Sequence, residues 1–107
     1  MSYVIGLKID TGGSNPASVG DDWNFTSNCS SMWCEAGADL AEFEGKTAGE
    51  CIPVLESAIS TLHSDPTRFR AMNPPNGWGS YETLIPALFK LLSIFRSHPK
   101  ATVWVSL

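Results

Sequence analysis

The 107-residue sequence predicts an α/β chain of the two-layer α+β kind: one small sheet holding the N- and C-terminal strands, packed on about three helices, as a single domain over residues 1–107. Three observations predict it. Apolar residues alternate at both ends of the chain, helical periodicity fills the middle, and clusters of turn formers separate the two. With 43% hydrophobic and 17% charged residues there is apolar surface for one core, and half of such a chain would be too small to stabilise itself.

Each element has its own signal. Tyr3, Ile5, Leu7 and Ile9 alternate with Val4, Gly6, Lys8 and Asp10, the pattern of a half-buried strand. Residues 10–16 are turn formers and read as loop, which continues through residues 19–22. Residues 23–26 read as a short second strand. A helix is expected from Thr26, Ser27 and Asn28, whose side chains cap free N–H groups, through Met32, Trp33, Ala36, Leu40 and Phe43 to a C-cap at Gly45. Thr47-Ala48-Gly49-Glu50 is a capping box. The helix it opens carries the stripe Ile52, Leu55, Ala58, Ile59 and Leu62 and stops at Asp65-Pro66, because the residue before proline is pushed out of the α region. Residues 66–72 add a helical turn, and residues 73–79 are loop. Ser80 then caps a third helix with Leu84, Ile85, Leu88, Leu91, Leu92 and Phe95 inward, widened by Phe89 and Ile94. His98-Pro99 closes it. Residues 101–107 read as a strand with Val103, Val105 and Leu107 on one face and Trp104 on the other, between Thr102 and Ser106.

Charge and cysteine usage narrow the function classes. A net charge of −4 argues against a nucleic-acid partner, which needs a basic face to release counterions. The strand pattern begins at once with no secretory signal, and the longest apolar stretch, residues 84–95, is interrupted by Lys90. A cytoplasmic chain with no membrane partner is therefore expected. Cys29, Cys34 and Cys51 are odd in number and lack C-x-x-C spacing, so free thiols are expected. No spacing pairs them with His63 or His98 as metal ligands, and no metal or other cofactor is expected. Both histidines fall near helix C-termini, where the dipole alone accounts for them.

Two loops carry the residue types that suit a ligand. Residues 23–33 hold Asn24, Thr26, Ser27 and Asn28, and residues 73–81 hold Asn73, Asn76, Trp78 and Tyr81. Both join polar donors and acceptors to aromatic rings and feed a helix N-terminus, which suits an anion or a planar polar group. Arg68 and Arg70 precede the second loop and are candidate anion contacts. The same residues are also ordinary capping and turn chemistry, and no glycine pattern marks a nucleotide site. Trp104 is a candidate interface residue on an open sheet face, and a terminal strand at a sheet edge offers a route to a homodimer.

Ile9-Asp10-Thr11-Gly12-Gly13, Asn24-Phe25-Thr26-Ser27-Asn28 with Met32-Trp33, and the segment from Met72 through Asn73-Pro74-Pro75-Asn76-Gly77-Trp78-Gly79-Ser80 to Tyr81 resemble a family of small uncharacterised proteins of actinobacteria and their phages. The resemblance spans nearly the whole chain, with the second loop its most specific part. It implies a small protein of a phage or mobile-element gene pool and brings no activity with it. The expectation is a non-enzymatic binding protein, a phage-type accessory factor that captures a small polar or anionic molecule or inhibits a host protein. A pure interaction or homodimerisation module acting through the open sheet face, and a small enzyme using a cysteine or histidine, are the alternatives.

Overall fold

The computed structural model describes residues 2–107. Strands β1 (Ser2–Ile9), β2 (Ala17–Thr26) and β3 (Thr102–Ser106) form one antiparallel sheet in the order β2-β1-β3, so the N-terminal strand is central and pairs with the C-terminal strand at one edge. Helices α1 (Ser30–Glu35), α2 (Ala48–Ser64), α3 (Pro66–Arg70) and α4 (Tyr81–Ser97) fall between β2 and β3. This is the α+β arrangement expected of strands at both ends with helices between. Among the described residues no helix is long and apolar enough to cross a membrane.

The second strand is longer than its sequence suggests. Residues 19–22, expected as loop, lie within β2. Ile5 pairs with Trp23 and Leu7 with Val19, so three residues of β2 stand opposite Gly6 alone. Two extra residues preserve the alternation, and Val19 and Trp23 still face the core side with Ile5 and Leu7. Gly20, at φ +72°, makes this bulge possible. The local excess hides the strand from a simple period-2 reading.

The first expected helix is broken. It begins as a 3-10 turn (Ser27–Cys29), continues as α1 and stops at Gly37, whose φ is +103°. Gly37 N–H donates to the Cys34 carbonyl and Ala38 N–H to that of Trp33, both at 3.0 Å, which is a Schellman stop. Asp39 then caps a second 3-10 turn, Leu40–Phe43, through the Ala41 N–H. Leu40 and Phe43 still reach the core, so the apolar spacing was a true signal of burial over a discontinuous backbone. At the other end, Leu107 is 66% exposed beyond the last strand and does not share the burial of Val103.

Helices α2 and α4 open alike. Thr47 and Glu50 form the capping box of α2, Ser80 and Thr83 that of α4, and Pro53 and Pro86 each stand at the sixth helical position. There a proline removes a single i→i−4 bond. The donors of the first α2 turn are used elsewhere: Ala48 N–H bonds the Ala101 carbonyl at 2.9 Å and Gly49 N–H that of Pro99 at 2.7 Å. Tyr81 Oη donates to the Leu62 carbonyl at 2.7 Å and joins α4 to α2, while Trp23 Nε1 donates to that of Ala87 at 2.7 Å and joins the sheet to α4. Trp33 is fully buried, edge-on to Tyr3 with centroids 4.9 Å apart, and its Nε1 has no hydrogen-bond partner among the described residues.

Candidate functional site

Both loops singled out in the sequence meet in the fold. Gly79 is the point of contact: at φ +89° it lies so close to the first loop that a Cβ would stand 2.6 Å from Thr26 Cγ2 and 2.9 Å from Cys29 Sγ. Beside this contact Ser2, Thr26, Asn28, Asn76 and Trp78 line a cleft of about 390 Å³. Four of these five were candidates from sequence. Ser2 was not, because only pairing of β1 with the end of β2, Ser2 opposite Thr26, brings the start of the chain here.

Local hydrogen bonds hold the rim. Asn76 Oδ1 accepts from the Trp78 N–H at 2.9 Å, a side-chain turn that presents the indole. Thr26 Oγ1 accepts from the Asn28 N–H at 3.3 Å. The Trp78 side chain lies on the surface, the residue being 70% exposed, whereas Trp23 and Trp33 are buried and Trp104 is half-buried.

The remaining candidates stand elsewhere. Asn73 Oδ1 accepts the Tyr81 N–H at 2.7 Å and so secures the start of α4. Tyr81 is itself buried, its hydroxyl committed to α2. Arg68 pairs with Glu35, and Arg70 pairs with Glu82 at 2.8 Å while its guanidinium lies 5.2 Å from the Tyr81 ring centroid. Neither arginine lines the cleft. Ser27 sits half-buried in the 3-10 turn, and Asn24 is exposed on β2 opposite Val4. Thr83 N–H is taken by Ser80 Oγ at 3.2 Å, so the anion-binding donors expected at the start of α4 are largely spent on its own caps.

Trp104 lies over its own sheet. It pairs with Gly6, where a Cβ would come within 2.3 Å of the indole, so glycine is what lets the ring lie across β1. The edge of β3 is not open either. Val103 N–H donates to the Lys46 carbonyl at 2.8 Å, Gly45 N–H donates to that of Val103 at 2.9 Å, and Val105 N–H donates to Glu44 Oε1 at 3.0 Å. The segment before α2 thus occupies the edge that a second chain would use.

A second cleft, of about 280 Å³, is lined by Gly20, Asp21, Ser93, Ile94, Ser97 and His98 at the end of α4. Sequence spacing gave no sign of it, because the bulge of β2 creates it. The thiols are not poised as nucleophiles: burial pushes Cys29 up and Cys51 to about 11, and partial burial with the charges of Asp39 and Glu42 raises Cys34. No group of three or more metal-ligating side chains stands together among the described residues.

No protein-family model, curated protein or solved structure matches the chain. The resemblance drawn above is therefore carried by its motifs alone.

Proposed function

We propose that this chain is a non-enzymatic binding protein that captures a small polar ligand in the cleft between the 3-10 turn after β2 and the loop before α4. The observation that carries this reading is the meeting of two loops, some fifty residues apart in sequence, around an indole left 70% exposed. An indole offers a large flat apolar surface at small entropic cost, and the surrounding amides and hydroxyls supply orientation. The volume of about 390 Å³ falls within the ordinary range of small-molecule sites. A phage-type accessory role is compatible with such a cleft and is what the resemblance of the sequence motifs implies. Cysteine catalysis has less support, since burial shifts all three thiols upward, away from the lowered range of a reactive thiolate. Association through Trp104 also has less, since that ring is half-buried on β1 and the β3 edge is occupied.

The test is native mass spectrometry of the protein purified from a cell lysate, repeated with Trp78→Ala. Wild type is expected to carry a mass excess that disappears on denaturation, and the variant to lose it with its thermal midpoint unchanged. A mass excess equal in both proteins would refute the cleft.

A further inference from the structure

We infer that the ligand of this cleft is a neutral saccharide, stacked by one ring face on Trp78 and held at its hydroxyls by Asn28, Asn76, Thr26 and Ser2. This rests on the reading of the cleft as a ligand site and names the class of molecule that fits it.

The argument begins with charge. None of the described residues lining the cleft is ionisable. The chain has three arginines, and each is engaged with a glutamate: Arg68 with Glu35, Arg70 with Glu82, Arg96 with Glu56. No lysine lines the cleft. The nearby backbone donors are also committed. Asn28 N–H goes to Thr26, Trp78 N–H to Asn76, Tyr81 N–H to Asn73 and Thr83 N–H to Ser80. Among the described residues a phosphate or carboxylate would find neither a cationic side chain in the lining nor a free nest of N–H groups, inside a molecule already carrying net charge −4. The same lining lacks the carboxylate, imidazole and thiolate groups that a metal ion would require.

What is left is a particular inventory. Asn76 has spent its carbonyl on Trp78 and keeps its amide donors. Thr26 has accepted one bond at Oγ1 and keeps its O–H. Asn28 is exposed at the cleft, and its side-chain amide offers both donor and acceptor. Groups that donate and accept around one exposed indole face match vicinal hydroxyls, each of which does both, on a ring whose C–H face is apolar. An apolar ligand would use the indole alone and leave the hydrogen-bonding capacity of these exposed amides to water. A nucleobase would have only one aromatic face to lie on here, since Trp78 is the one aromatic side chain of the lining.

The experiment is a titration of the intact protein with cellobiose, maltose, lactose and N,N′-diacetylchitobiose, and separately with inorganic phosphate, AMP and adenosine. Saturation-transfer NMR reports the bound ligand, and acrylamide quenching reports Trp78, the most exposed of the four tryptophans. The expected result is saturable binding of at least one disaccharide, insensitive to salt, with protection of Trp78 from quenching. Trp78→Ala should weaken it by about tenfold or more, the loss of about 1.4 kcal/mol. Trp78→Phe should retain part of the affinity, and Trp104→Ala all of it. Circular dichroism of each variant separates lost binding from lost folding. Binding of phosphate, AMP or adenosine at Trp78 with no disaccharide bound would overturn the saccharide and leave the cleft standing. No probe bound, or binding that survives Trp78→Ala in full, would overturn both.

Discussion

At Gly79 the backbone stands at φ +89°, and a side chain would collide with Thr26 and Cys29 of the facing loop. Only glycine meets both conditions, so this position sets how closely the two halves of the cleft approach. Gly79→Ala is expected to cost about 2 kcal/mol or more, combining left-handed backbone strain with overpacking, and to loosen the rim. Urea unfolding measures the first effect and quenching of Trp78 the second; an unchanged midpoint would mean that the loops do not need this contact. The adjacent Trp78 has the opposite character, contributing little to packing and therefore open to substitution. Among the thiols, Cys51 is held at about 11 chiefly by burial, against about 8.5 for a free cysteine. Its folded value lies above its unfolded one, so its contribution is complete below about pH 8.5 and is lost as pH rises through the folded value. The melting temperature should fall more steeply in wild type than in Cys51→Ala between those values. Parallel slopes would show that other groups account for the alkaline loss.

Among the elements, the helix starts are the best-specified features. The capping box of α2 is reciprocal, with Thr47 N–H donating to Glu50 Oε2 at 2.9 Å and Glu50 N–H to Thr47 Oγ1 at 3.3 Å. Thr47→Ala should therefore destabilise the protein by about 1 kcal/mol in thermal unfolding. The hydrogen bond from the Thr47 backbone keeps the Glu50 carboxyl below its usual range. That support is present above the ordinary glutamate pKa and is lost as pH falls through the lowered value. The helix stops were harder to locate. A stripe running from Met32 to Phe43 is equally compatible with one long helix and with two short turns, and what divides it is a single positive φ at Gly37. Gly45 is also at positive φ but ends no α-helix; its N–H instead bonds β3.

For the molecule as a whole, the segment before α2 closes one side of the sheet. Glu44 and Lys46 satisfy the outward N–H groups of Val105 and Val103, so β3 is an edge strand in topology without exposing a free ladder. Glu44→Ala should accelerate hydrogen exchange at the Val105 amide and leave the Val103 amide protected, since the latter bonds a backbone carbonyl. Equal protection at Val105 would mean that the carboxylate does not guard the edge. The sequence by itself determined the α+β class, the terminal strands, the capped starts of α2 and α4, and the residue types of both loops. These are local properties, written in the periodicity of apolar side chains and in the chemistry of caps and turns. Only the tertiary structure decided which loop residues share a cleft. Thr26, Asn28, Asn76 and Trp78 come together because β1 pairs with β2 and Gly79 admits close approach, whereas Tyr81 turns inward and Arg68 and Arg70 turn to glutamates. Contacts between residues distant in sequence depend on packing geometry that no local pattern encodes, and the cleft is made of such contacts.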